Sequence, residues 1–320
     1  MVPPSKDVLI DTHKRITPVV HKTPVLTSQF FNDLTGAELF FKCENFQKVG
    51  AFKYRGATNA VLQLADKQHA KGVIAHSSGN HAQALALAAK VNGIKAHIVM
   101  PINAPKVKSD AVEGYGAQIT FCEPTLEARE NTTKVLIKKF GYTEIHPFDN
   151  DHIIAGQATA AMELIEDYQH LDALIAPVGG GGLLSGTALA AAYFGKNVKA
   201  YAGEPAGADD AKQSFDAGRL IPSVKPQTIA DGLLTSLSER TFRIIQEHVV
   251  DILTVSEGEI IQAMRWVWER MKIVIEPSSA VPIAAVIKNE ELFKNKRVGI
   301  IVSGGNVDLS KSYFFNNEPR

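Results

Sequence analysis

Four glycines in a row, Gly179, Gly180, Gly181 and Gly182, stand in the stretch PVGGGGLLSG, between an apolar run and an Ala/Leu-rich segment. Lacking Cβ atoms, they can turn tightly and aim their N–H groups at one point, and a following helix N-terminus adds partial positive charge. That arrangement cradles a phosphate; a structural turn is the competing reading. A mononucleotide P-loop is excluded, because Leu183 and Leu184 stand where Lys and Ser or Thr are required. A dinucleotide fingerprint stays open, with Glu204 at a tolerable distance, although such fingerprints usually open a domain. A second chemical group lies in GAFKYRGA, where Lys53 sits between Phe52 and Tyr54 with Arg55 beside it. Desolvation lowers a lysine pKa and frees a neutral amine for nucleophilic or base chemistry. The alternative is a lysine whose stem lies over both rings while its head stays in water.

Elements must bring these groups together. The runs 72–78, 96–101, 117–123, 173–180, 198–205 and 298–305 are rich in Val, Ile and Ala and read as buried strands. Segments 81–92, 125–140, 156–168 and 183–194 between them read as helices, which predicts an α/β architecture with parallel sheets. Ser256 and Glu259 form a capping box ahead of Ile260, Ile261, Met264, Val267, Trp268 and Met271 at helical spacing. That spacing assigns Trp268 to the core and leaves Trp266 undecided. The turns SSGNHAQ (77–83) and SGGN (303–306) also follow strands, as does the glycine loop. Ligands in open α/β sheets bind beyond the carboxyl ends of strands, so one shared cleft is expected. Three ordinary turns would use the same residue types.

Bulk properties exclude other classes. Lys+Arg and Asp+Glu balance at 34 each over 320 residues, so no net field favours nucleic acid or an anionic membrane. The two cysteines, Cys43 and Cys122, make no disulfide framework. No apolar run reaches the roughly 20 residues of a membrane span, and the N-terminus has no signal core. A soluble cytoplasmic protein is expected.

Taken in order, KTPVLTS, FKCENFQKVGAFKYRGA, SSGNHAQALALAAK, GQATAAMELI, PVGGGGLLSG, TIADGL, ERMKIVIEPSSA and SGGNVDL resemble the fold-type II family of pyridoxal-phosphate enzymes. The likeness covers nearly the whole chain. Within the family it is similar to the branch of serine racemases and short serine and threonine dehydratases. The resemblance implies a tryptophan synthase β-like fold: two open, twisted, mostly parallel-sheet α/β domains with a cleft between them. A large cofactor domain would comprise 1–65 and 150–320, and a small domain, 66–149, would close on substrate. No room is expected for a C-terminal regulatory domain.

The resemblance also assigns roles. Lys53 would be the covalent anchor of pyridoxal 5'-phosphate, Gly179 to Gly182 would hold its phosphate, Asn80 would meet its ring hydroxyl and Ser303 its pyridine nitrogen. Lys53 and Ser78 would exchange protons on opposite faces of the substrate Cα, interconverting L-serine and D-serine. Loss of the β-hydroxyl would accompany this and give pyruvate and ammonia. Threonine dehydratases commonly carry alanine where Ser78 stands. Ser77, Ser78, Asn80, His81, Arg129 and Thr235 would contact substrate; mammalian relatives carry serine in place of Thr235. Glu204, the Ala208 carbonyl and Asp210 match a divalent-metal pattern of oxygen ligands suited to Mg²⁺, Ca²⁺ or Mn²⁺; a solvated acidic loop is the alternative. Ser28, Gln29, Phe30, Lys48, Gln83, Tyr115 and Asn306 match an ATP effector site at a homodimer interface, with Gln29 and Phe30 departing from the mammalian pattern. A serine/threonine dehydratase, or a threo-3-hydroxyaspartate ammonia-lyase with little racemase activity, is the alternative within the family. Outside it stand a dinucleotide dehydrogenase and a catalytically silent sensor.

Overall fold

The computed structural model describes residues 2–65, 71–104, 106–309, 313 and 314. Among these residues ten strands form two sheets. The larger combines β1 (Val25–Leu26), β2 (Glu38–Cys43), β7 (Ala173–Pro177), β8 (Lys199–Pro205), β9 (Val249–Val255) and β10 (Arg297–Val302) in the order β1-β2-β10-β7-β8-β9. The smaller combines β3 (Val73–His76), β4 (Ala96–Pro101), β5 (Gln118–Cys122) and β6 (Thr143–Glu144) in the order β5-β4-β3-β6. Only the β1–β2 pair is antiparallel. The chain therefore leaves the large sheet after β2, builds the small one, and returns at β7.

Apolar runs without alternation belong to strands covered on both faces. That is how β7 and β10 sit, the first buried throughout and the second in all but its opening arginine. The bounds of the six expected strands differ mainly at the carboxyl ends, where Ser77, Ser78, Gly179, Gly180, Ser303, Gly304 and Gly305 lie beyond the ladder; β1, β2, β6 and β9 were not expected. The helices are α1 (Lys6–Ile16), α2 (Gln29–Thr35), α3 (Lys53–Leu62), α4 (Asn80–Val91), α5 (Lys106–Gly114), α6 (Leu126–Phe140), α7 (Asp151–Asp167), α8 (Gly182–Phe194), α9 (Asp210–Ala217), α10 (Glu239–His248), α11 (Glu257–Trp266), α12 (Pro277–Lys288) and α13 (Glu290–Phe293).

Helix α7 starts at Asp151, five residues before the expected start, because Asn150 caps it: its side chain accepts from His152 N and Ile153 N. The capping box of Ser256 and Glu259 is present. Helix α11 then passes into a π-helical turn, Val267–Met271. Both tryptophans are half-buried: Trp266 meets Phe30 edge-on, and Trp268 donates Nε1 to Ile275 O, 3.1 Å away.

Helices α3 and α7, one entering and one leaving the small sheet, cross at two glycines. A Cβ on Gly156 would lie 2.5 Å from Gly56 Cα and 2.8 Å from Arg55 O. Both neighbours are backbone, so neither can step aside cheaply. Gly156→Ala is therefore expected to destabilise the fold by about 1–3 kcal/mol in urea unfolding. Gly258→Ala, in α11 with nothing within 4 Å, should stabilise by up to about 1 kcal/mol through helix propensity. Equal, small effects at both positions would contradict the crossing.

Candidate active site

Segments after β2, β3, β7 and β10 converge at the carboxyl ends of their strands. Lys53 opens α3, and its Nζ donates to Pro147 O at 2.8 Å while lying 5.1 Å from the Phe52 ring centroid. Burial lowers its pKa to about 8, partly opposed by the Glu276 carboxylate. The expected bracket of two rings is corrected: Tyr54 is fully buried in the core and carries Lys48 over its ring at 5.6 Å. The amine turns inward to a carbonyl, unlike a lysine with its head in water.

The backbone ties Lys53 to the final strand. Phe52 N donates to Ser303 O at 2.9 Å, and Ala51 bridges Gly304. Ser303 is buried, its Oγ 3.0 Å from Ser279 Oγ, and Ser279 in turn exchanges hydrogen bonds with the Gly304 backbone. Across the cleft, Asn80 is held on both sides. Its Nδ2 donates to both Glu276 oxygens at 3.0 and 3.1 Å, and its Oδ1 accepts from Asn306 Nδ2 at 2.9 Å. Asn306 N also donates to Glu276. Burial pushes the Glu276 carboxyl up to about 7 against the hydrogen bond from Asn80. Sequence reasoning quoted EPSSA but gave Glu276 no role. An acid at the head of a buried helix was the available signal.

Each glycine of the loop meets its own constraint. Gly181 alone of the four has positive φ, 86°, and serves as N-cap of α8 with no side-chain cap. Gly179 abuts Leu233 and Gly232 backbone, while Gly180 and Gly182 abut Phe148, whose ring a Gly180 Cβ would meet at 2.3 Å. The loop is therefore closed from behind, and the α8 N-terminus has no side-chain oxygen in competition with an anion. Phe148 and the Pro147 carbonyl were overlooked in the sequence. Nothing in HPFDN marks either as a neighbour of the loop or of Lys53.

Ser77 and Ser78 are half-buried in the turn before α4, where Ser77 Oγ accepts from Gly79 N at 3.3 Å. His81, 2% exposed, hydrogen-bonds Ile145 O through Nε2 at 2.8 Å, and burial pushes its pKa down to about 3. Its ring is therefore neutral, with Nδ1 a bare acceptor. Arg129 is half-buried on α6, its Nε donating to Thr125 O, and Thr235 is exposed in the loop before α10. From the small-sheet side, Lys108 on α5 forms an ion pair with Asp231, which precedes the Gly232–Leu233 backbone behind the glycine loop.

The acidic loop holds Glu204 and Asp210 1% and 5% exposed. Both Glu204 oxygens accept backbone N–H groups from α9, Ala211 N at 2.9 Å and Lys212 N at 2.8 Å. Burial pushes Glu204 up to about 9 and Asp210 up to about 6. Asp210 Oδ2 is buried without a hydrogen-bond partner. Among the described residues no three His, Cys, Asp or Glu side chains cluster for a metal. The loop offers two carboxyls, with Ala208 buried between them in sequence. The seven nucleotide-site residues fall on separate elements. Ser28 to Phe30 lead into α2, where Phe30 packs against Trp266 and Arg270. Lys48 and Gln83 belong to the neighbouring 48–50 turn and α4, Tyr115 packs on the core cluster that joins the smaller sheet to α3, and Asn306 is hydrogen-bonded to Asn80 and Val49 O.

Comparison with known proteins fits this arrangement. Residues 16–304 match the family model described as pyridoxal-phosphate dependent enzyme. A serine racemase of Dictyostelium discoideum is 54% identical, the alignment covering 94% of each chain. A beta-hydroxyaspartate dehydratase of Paracoccus denitrificans is 50% identical over 96% of this chain and 98% of its own. The solved Dictyostelium discoideum serine racemase superposes with a TM-score of 0.90 at 52% identity, covering 94% of this chain and 98% of its own. With the family model spanning most of its length and a solved relative matching its fold, the chain belongs to the pyridoxal-phosphate dependent enzymes in their fold-type II form.

Proposed function

We propose that the protein racemises serine, interconverting L-serine and D-serine, and dehydrates part of it to pyruvate and ammonia. One observation carries the reading: Ser78 stands in the turn whose Asn80 is fixed by Glu276, in the cleft that also receives the desolvated Lys53 amine. A serine racemase at 54% identity and a hydroxyaspartate dehydratase at 50% support the pair of outcomes.

Bound pyridoxal phosphate supplies an aldehyde for an amine and an electron-withdrawing ring for charge released at Cα. The residues fit that group. Gly179 to Gly182 and the α8 N-terminus would hold its phosphate, Ser303 its ring nitrogen and Asn80 its ring hydroxyl. Lys53, with a pKa near 8, has a substantial neutral fraction at neutral to mildly alkaline pH. It takes the α-proton from one face of L-serine. Ser78 gives its hydroxyl proton to the other face, yielding D-serine; alternatively the β-hydroxyl takes up a proton and leaves as water, and the enamine so formed is hydrolysed to pyruvate and ammonia. The backbone at the α4 N-terminus, beside Ser77, Ser78 and Asn80, takes the substrate carboxylate, with His81 beneath as a neutral support. Arg129 and Thr235 complete the site when the small domain, 66–149, closes on the large one formed by 1–65 and 150–320. Residues 1, 66–70, 105, 310–312 and 315–320 of these ranges lie outside the described residues.

Glu204, Asp210 and the Ala208 carbonyl would hold a divalent cation, whose charge would offset the burial that pushes both carboxyls toward neutrality. The orphaned Asp210 Oδ2 is the atom that most needs it. A homodimer, a cytoplasmic location and an ATP effector are what the family resemblance adds to this reading. No described helix is long and apolar enough to cross a membrane.

Incubated with L-serine, the wild-type protein should form both D-serine and pyruvate by chiral and keto-acid analysis. Ser78→Ala should lose D-serine formation by 100-fold or more, on the order expected for a missing acid–base group, while keeping much of the pyruvate. Undiminished D-serine in the variant removes Ser78 from the mechanism. Mg²⁺ added to chelator-treated protein should stabilise it by about 2–3 kcal/mol at a hundredfold excess over Kd, and Glu204→Gln should cancel the gain. An unchanged thermal midpoint in the wild type contradicts the metal.

A further inference from the structure

Arg55 has no part in the reaction above, yet it is the largest fully buried side chain among the described residues. Its guanidinium donates to Glu44 through Nε and Nη2 at 2.7 and 2.8 Å, and to Glu163 through Nη1 and Nη2 at 2.7 and 2.9 Å. Lys42 Nζ donates to Glu163 at 2.6 Å, and Thr23 Oγ1 to Glu44 at 2.6 Å. Arg55, Lys42 and Glu44 are wholly buried and Glu163 is 3% exposed. Two cations face two carboxylates, so the cluster is charge-balanced. Burial opposes ionisation of Glu163, but Arg55 and Lys42 outweigh it and hold the carboxyl below its usual range. His13, 3.9 Å from Glu163, is held below the usual histidine range by burial.

Such a cluster is a poor device for stability alone, since apolar side chains of the same volume often serve as well. What apolar packing lacks is the fixed fork of a guanidinium, which admits one rotation of the helix bearing it. The fork joins α3 to the turn after β2 and to the C-terminal half of α7. The same two helices meet backbone to backbone at Gly56 and Gly156, and Gln157 accepts from Gly56 N at 3.2 Å. Asn59 donates to His152 O at 2.7 Å further along. Helix α7 follows directly on residues 146–150, which bring Pro147 O to Lys53. One end of α7 therefore carries the acceptor of the amine, and the other grips the helix from which the amine projects.

We propose that Arg55 is a positioning residue for Lys53: its fork between Glu44 and Glu163 sets the register of α3 on α7 and so holds the Lys53 amine against Pro147 and away from water. The proposal rests on the reading of Lys53 as the reactive amine, but its test reads the amine itself and needs no cofactor. The cofactor-stripped full-length chain is acylated with a limiting amine-specific reagent across a pH series, and the Lys53 peptide is followed by mass spectrometry against surface lysines. Wild-type Lys53 should be half-labelled near pH 8. Arg55→Lys keeps the charge and loses the fork, and should move that midpoint up by about one pH unit, toward ordinary lysine, as water reaches the amine. If this variant does not fold, Lys42→Met/Glu163→Gln replaces it. That pair removes one charge of each sign and breaks the two-pronged ionic grip of Arg55 on Glu163, leaving Thr159 Oγ1 as its hydrogen-bond partner on α7, and the same upward shift is expected. A purely structural role lowers the melting temperature but leaves the Lys53 midpoint at its wild-type value, and that result overturns the proposal.

Discussion

At Gly56 and Gly156 two helices approach until neither can carry a Cβ atom, and the Lys53 amine projects from the first turn of one of them. That contact decides how the small sheet hangs on the large one, because α3 enters the small sheet and α7 leaves it. The buried ions beside it, Arg55, Lys42, Glu44 and Glu163, are satisfied by one another and by Thr23 and Thr159. A buried charge left without its partner is expensive, so this arrangement has few alternatives at similar energy. Rigid support of this kind is what a reacting group needs when an error of an ångström costs rate.

Within the cleft, burial acts on two groups of opposite charge. It lowers the Lys53 pKa and raises that of Glu276, so both move toward neutrality, while the Glu276 carboxylate works back on the amine. Asn80 stands between this acid and the site, oriented by Glu276 on one side and Asn306 on the other. An amide fixed in this way offers a ring hydroxyl a partner that cannot rotate freely. The neutral Ser303, pinned beside Ser279, suits a pyridine nitrogen that does not depend on a carboxylate for protonation.

Much of the architecture was legible in the sequence because it is written in local pattern. Unalternated Val, Ile and Ala runs, most ending in Gly, Ser or Pro, located β3, β4, β5, β7, β8 and β10 but missed β1, β2, β6 and β9, and the box of Ser256 and Glu259 located its helix. Asn150 extended α7 backward because a cap is one residue, with no period to announce it. At the site, the glycine loop, Lys53 and Ser303 were visible as residue types at strand ends or in a distinctive run. Glu276 and Phe148 were not, since their meaning lies in contacts with Asn80 and the glycine loop, far along the chain. Tyr54 misled for the converse reason: adjacency to Lys53 suggested a shared environment, but successive helical residues face different directions. The Arg55 cluster, assembled from four separate elements, has no local signature at all.

The account stands or falls on Lys53 as the residue that holds pyridoxal phosphate. Reducing the purified, cofactor-loaded protein with borohydride, digesting it and mapping the modified peptide by mass spectrometry tests this directly. A pyridoxyl-phosphate group on Lys53, with Lys48 and Lys42 unmodified, is the predicted result. A group fixed to another lysine, or no group fixed after loading, would contradict it.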